Sequence, residues 1–172
     1  MLANQNLYPD DYMLDLREIF MLVNMLSSRV EVEETIDQLG LRIDAKEWSE
    51  LEEVLAENVE IDYRSLNGGN VETLFRPDVI ARWKSMLTPL RTQHIITNMH
   101  ITIKPDNTAE CAANLMATHV RPNGGDDSIY TIGGRYDFHL AQENGRWRIY
   151  AIRLTALWTT GNPKILNQTV RQ

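Results

Sequence analysis

The stretch "PLRTQHIITNMHITI" (Pro89–Ile103) marks where the chain changes period, and its reading decides the fold. Before Pro89 the apolar residues recur at three- and four-residue steps. After it they alternate, as side chains do along a strand. Three further runs follow, "TAECAANLMATHV", "SIYTIGGRYDFHLAQ" and "GRWRIYAIRLTALW", joined by "KPDN", "RPNGGDD" and "QENG". Such Gly, Pro, Asn and Asp clusters are hairpin or turn chemistry. Helices first and an antiparallel meander second predict an α+β fold, with N-terminal helices covering one face of a strongly curved, mostly antiparallel sheet.

Upstream, residues 1–12 read as an arm with a Pro9-Asp10 turn. A helix is expected over about Tyr12 to Leu26, interrupted at Ser27-Ser28. Val32, Ile36, Leu39 and Ile43 form the apolar stripe of the next helix, and Asp44 stands at its junction with another containing Trp48, Leu51, Val54 and Leu55. "VEIDYRSL" reads as a short strand and "NGGN" (Asn67 to Asn70) as a turn. "RPDVIARWKSML" reads as a helix with Pro77 in its first turn. The expected organisation is an arm and helix over residues 1–30, a single α+β domain over 31–160 and a tail over 161–172.

The 172 residues carry a net charge of −7, and their 17 basic residues are scattered. This disfavours nucleic acid and anionic membranes as partners. One cysteine, Cys111, leaves no internal disulfide framework. No apolar run is long enough to span a bilayer. "IFMLVNML" (Ile19 to Leu26) follows acidic residues rather than the basic start of a secretory signal, so a cytoplasmic location is expected.

Strand alternation gives each histidine a set of neighbours. His94 shares a face with Ile96, Asn98 and His100. His119 shares one with Cys111, Ala113, Leu115 and Ala117, whose small side chains suit the covered side of the sheet. His139 falls on a solvated face. His94 is then an ordinary buried polar residue, a metal ligand or a proton carrier. Six residues of strand separate His94 from His100 by about 20 Å, too far to share one ion. No Cys or carboxylate supplies a familiar ligand spacing, so no metal is expected. Cys111 lies mid-strand in apolar company and reads as packing. Trp48, Trp83, Trp147 and Trp158 sit at core-like positions.

Three blocks carry a resemblance: "DAKEWSELEEVLAENVEIDYRSL" (residues 44–66), "LRTQHII" (90–96) and "NGRWRIYAIRL" (144–154). With them the chain resembles the SnoaL-like branch of the cone-shaped α+β-barrel (cystatin-like) superfamily named after nuclear transport factor two. Within that branch it looks most like the scytalone dehydratase family. The resemblance implies Asp44 as an acid orienting a histidine, His119 as the histidine paired to it, His94 as the proton-transfer histidine and Tyr63 as a group polarising a carbonyl. Ile43 stands where those enzymes have a second tyrosine. "GGRY" (Gly133 to Tyr136) stands where they have Ser and Asn.

The implied activity is a cofactor-free lyase or isomerase acting on a small cyclic or aromatic carbonyl or hydroxyl compound in an apolar pocket. Ile43, Trp48, Leu115, Ala117, Tyr130, Ile132, Tyr136 and Phe138 are its expected lining. Two alternatives share the scaffold. One is a non-catalytic ligand-binding or assembly subunit, like the small subunit of ring-hydroxylating dioxygenases. The other is a hydrolase or cyclase. Relatives associate through the open sheet face, which implies a homodimer or homotrimer. Apolar residues on both faces of the last strand fit that expectation: Trp147, Ile149 and Ala151 on one, Tyr150, Ile152, Leu154 and Trp158 on the other. The tail from Gly161 either closes the pocket mouth or hangs loose.

Overall fold

In a computed structural model of the chain, residues 15–122 and 128–166 are described. The expected N-terminal arm lies outside them, as does most of the "RPNGGDD" joint. The α+β order holds. Helix α1 (Leu16–Ala45) leads through a 3-10 turn (Trp48–Glu53) to strand β1 (Leu55–Asp62), short helix α2 (Arg64–Asn67), strand β2 (Glu72–Phe75) and helix α3 (Arg76–Leu87). The meander follows as β3 (Arg91–Ile103), β4 (Thr108–Val120), β5 (Ile129–Glu143) and β6 (Arg146–Gly161), and a 3-10 turn (Pro163–Leu166) comes last. The six strands form one sheet in the order β2-β1-β6-β5-β4-β3. Only the β1–β6 pair is parallel.

Four local expectations are corrected. First, α1 runs for 30 residues without a break at Ser27-Ser28. Ser27 is held inside it, its Oγ donating to Glu31 at 3.0 Å, and the N-cap is Asp15, in a capping box with Glu18. Second, the segment from Trp48 is a 3-10 turn and not a full helix. Its chain becomes strand at Leu55, four residues earlier than expected, because the carbonyl of Val54 accepts from Ile149 N–H and docks the segment on β6. Third, the strand expected over "VEIDYRSL" ends at Asp62, where the Arg64 backbone N–H donates to the Asp62 carboxylate and the chain turns into helix α2.

The fourth correction concerns parity. A bulge between Thr97 and His100, with Asn98 at φ 56°, inserts an extra residue into β3. It turns Met99, Ile101 and Ile103 inward and His100 outward, off the face of His94. A second irregularity skips Tyr150 in β6: Leu140 pairs with Ile149 and His139 with Ala151. Ile149, Ile152 and Leu154 therefore share the inner face that alternation had divided. A third bulge opposes Gly133-Gly134 to β6. A methyl group on Gly134 would stand 2.3 Å from the Thr155 carbonyl oxygen, so that approach requires glycine. Trp158, expected in the core, is half exposed, and its indole lies where a Gly133 side chain would begin.

These bulges curl long strands around one apolar interior, closed by the C-terminal half of α1 and by α3. Val32, Ile36, Leu39 and Ile43 are buried, as their stripe required, and so are Val79, Trp83 and Leu87. Ser65 ties α2 to the third irregularity, its hydroxyl accepting from Ala156 N–H at 2.9 Å and donating to the Leu154 carbonyl. This fixes the chain immediately after Tyr63. In contrast, every residue of α1 from Leu16 to Ser27 is exposed. Among the described residues no helix is long and apolar enough to cross a membrane.

Candidate functional site

The site begins where α1 crosses β3. Gly40 has no side chain, and a methyl group there would already touch His94 Cβ at 3.7 Å. Asp44, one turn later on the same helix face, is thereby brought onto the start of β3. Its carboxylate takes three hydrogen bonds from that strand. His94 Nδ1 lies 2.7 Å from Oδ1, the His94 backbone N–H donates to Oδ2 at 2.7 Å, and Thr92 Oγ1 donates to Oδ1 at 2.8 Å. Lys46 adds an outer link, its ammonium donating to Thr92 Oγ1 at 2.7 Å. Burial pushes the Asp44 carboxyl up, but the bonds and charge of His94, with the Thr92 hydroxyl, together bring it below its ordinary value. Asp44 is therefore ionised at neutral pH, and His94 carries its proton on Nδ1, because a carboxylate only accepts.

The acid pairs with His94, and this corrects the expectation that it pairs with His119. Register explains the difference. Across β3 and β4, His119 stands opposite Thr92, while His94 stands opposite Ala117. It is the Thr92 hydroxyl, opposite His119, that bonds the Asp44 carboxylate. His119 instead points Nδ1 at the Tyr130 carbonyl, 3.4 Å away, and its ring lies 5.8 Å from that of His94, edge to face. Burial first, and the neighbouring His94 second, push the His119 pKa down to about 4. It is neutral at pH 7. With Nδ1–H facing a carbonyl, Nε2 is left as an acceptor.

Both imidazoles line an apolar chamber of about 80 Å³. Of the expected lining, Ile43, Leu115, Ala117, Ile132 and Tyr136 surround it. Trp48, Tyr130 and Phe138 do not. Trp48 packs in the core beneath the Lys46 ammonium, 5.8 Å from its ring. Tyr130 packs with Ile132 and Ile165 behind His119. Phe138 is wholly buried one step further along β5, its ring 5.0 Å from that of Tyr136. Trp83, Met86 and Leu87 of α3, Leu66 and Asn67 of α2, Leu154 and Leu166 complete the wall. Val79, Trp83, Met86 and Leu87 face inward at three- and four-residue steps along α3, but such a stripe does not distinguish core from chamber. Leu166 brings the start of the tail to the chamber.

Tyr63 also lines the chamber, beside Tyr136. Burial pushes both phenols up. Tyr136 stands at about 12. Either phenol can donate to a ligand oxygen in the chamber. Cys111 is buried outside the chamber, with its thiol pushed up to about 11 by burial. It is packing, as its strand position indicated.

An apolar chamber with an Asp–His pair, a neutral histidine and a phenol pair can move a proton and polarise an oxygen. Comparison with known proteins agrees on the scaffold. The chain is similar to the Kfla4162 protein of Kribbella flavida (24% identity over 84% of this chain and 99% of that one, TM-score 0.78). It is also similar to a Novosphingobium aromaticivorans protein provisionally named scytalone dehydratase (21% identity, 81% and 94% of the two chains, TM-score 0.67). A third is a hexachlorocyclohexane dehydrochlorinase, LinA type 2 (13% identity, 87% and 99%, TM-score 0.69). No curated protein sequence matches. The family profile described as "SnoaL-like domain" matches residues 24–153, a span that holds the Asp–His pair, both phenols and the strands that bring them together, and the chain belongs to that family.

Proposed function

We propose that the protein is a cofactor-independent lyase or isomerase that moves a proton on a small cyclic carbonyl or hydroxyl compound. The observation that carries this reading is the 2.7 Å contact between Asp44 and His94 at the wall of an apolar chamber. His94 Nε2 takes a proton from the carbon next to a substrate carbonyl. The imidazolium so formed is stabilised by Asp44. Tyr63, beside Tyr136 on the chamber wall, donates to the carbonyl oxygen as charge collects there. His94 then returns the proton to a departing hydroxyl, releasing water, or to another carbon, completing an isomerisation. His119 Nε2 accepts from a substrate hydroxyl and orients it. The structural neighbours support an elimination: dehydration and dehydrochlorination each remove a proton and expel a leaving group. The convergence of His94, His119 and Tyr63 on one chamber weighs against a purely assembling subunit.

The test is a screen of cyclic β-hydroxy ketones and cyclic enones for loss of water or migration of the double bond, followed by Asp44→Asn. An asparagine amide donates to Nδ1 and forces the proton onto Nε2, disabling the base. Turnover is expected to fall by about 10²-fold or more. Unchanged turnover in the variant refutes the reading.

Self-association goes with this proposal. The first half of α1 exposes Leu16, Phe20, Met21, Val23 and Leu26, and β6 exposes Leu157 and Trp158. Surfaces of this kind mark contacts between proteins. Light scattering is expected to give a dimer or trimer that Leu26→Asp weakens; a monomeric wild type rules it out.

A further inference from the structure

The chamber beside the histidines is small. At about 80 Å³ it falls well below the roughly 300–1,000 Å³ of sites that enclose a drug-sized molecule. A second cleft of about 360 Å³ adjoins it. The two share the side chains of Tyr63, Asn67, Trp83 and Met86, so these four stand between them. The outer cleft by itself reaches that range, but the histidines line only the inner chamber, so a ligand that reacts there and is also enclosed occupies both.

The outer cleft differs in chemistry from the inner one. Ile61, Leu74 and Val79 give it an apolar floor. Its rim is polar: Asn70, Glu72 and Arg82, with the Gly68-Gly69 turn. The Arg82 guanidinium holds the Glu72 carboxylate with two nitrogens, at 2.6 and 3.3 Å. Both side chains are about half exposed, so the pair contributes little to stability. The two bonds to Glu72 use one N–H on each terminal nitrogen, and the guanidinium has three more donors to offer an acceptor oxygen.

We infer that the substrate is an elongated, two-part molecule. Its reacting ring sits in the inner chamber, and a second apolar segment lies in the outer cleft, ending in a carbonyl or carboxylate oxygen that Arg82 recognises. This rests on the proposed function for the identity of the reacting end. The outer cleft is then a specificity site, with Asn70 and Arg82 acting on binding and taking no part in proton transfer.

Calorimetric titration of the full chain with phenol, 4-phenylphenol, and the carboxylate and carboxamide made by adding that group to the far ring tests this. Wild type is expected to bind the two-ring probes at least tenfold more tightly than phenol. Asn70→Trp, which fills the cleft from its exposed rim, should reduce that advantage to under threefold and leave phenol binding unchanged. Arg82→Gln should remove the extra tightness of the oxygen-bearing probes, and Glu72→Gln should increase it. The carboxylate and the carboxamide show which oxygen is preferred. Circular dichroism checks that each variant is folded. A two-ring advantage that survives Asn70→Trp, an oxygen preference that survives Arg82→Gln, or no binding of any probe at millimolar concentration overturns the inference. The catalytic reading fails separately. The probe titrations do not depend on turnover, so unchanged turnover in Asp44→Asn refutes that reading and leaves the binding results standing.

Discussion

Replacing His94 with glutamine lowers turnover of a chamber substrate by about 10²–10⁴-fold, the usual contribution of a positioned acid–base group. Glutamine keeps much of the size and polarity of the imidazole, so the chamber wall is preserved and KM moves by only a few-fold. Adding Asp44→Asn to His94→Gln should cost almost nothing more, because the carboxylate acts through the imidazole it orients and has nothing to stabilise once that is gone. Single and double variants assayed side by side check this. Additive losses would mean that Asp44 acts on substrate by a route independent of His94. The expectation follows from the three bonds that the start of β3 makes to Asp44, which leave its carboxylate committed to the strand.

The second large effect is on stability. His119 is buried and neutral, with its pKa at about 4 in the folded chain against an ordinary 6.5. Between those values the unfolded chain takes up a proton that the folded chain refuses. Stability therefore falls as pH drops from 6.5 to 4, and levels off for this group below that. A difference of that size corresponds to about 3 kcal/mol. His119→Gln, which cannot titrate, should flatten the fall across this window. The Asp44 carboxyl acts elsewhere: its pKa is lowered, so its stabilisation is complete above the ordinary carboxylate value and is lost only as pH falls through a lower one. Urea unfolding at pH 7 and pH 4.5 separates the two. An equal drop in wild type and His119→Gln would show that burial of this imidazole is not the cause.

Periodicity carried the fold because most of the chain obeys it. The stripe from Val32 to Ile43 and the alternation of β4, where every second residue from Ala109 to His119 is buried, could be read directly. What could not be read was where alternation slips. The bulges beside Asn98 and Tyr150 leave no mark in composition, yet each reverses the facing of everything after it. That is why His100 left the face of His94 and why Ile149 and Ile152 came to share one. The partner of Asp44 was lost for a related reason. Resemblance indicates which residues meet, whereas the choice between two imidazoles depends on which of them the β3–β4 register sets opposite Thr92. The outer cleft was out of reach altogether. It is built by an edge strand of four residues and a glycine turn, neither of which has a periodic signal.

The central claim is that Asp44 and His94 form an Asp–His pair beside a neutral His119. Long-range ¹H–¹⁵N correlation spectra of the ¹⁵N-labelled protein, recorded from pH 8 to pH 4, test it most directly. The predicted result is a neutral His94 protonated on Nδ1 at high pH, whose Nδ1 signal shifts in Asp44→Asn, together with a His119 that stays neutral until about pH 4. A His94 protonated on Nε2, or a His119 that titrates near 6.5 and responds to Asp44→Asn in its place, would contradict it.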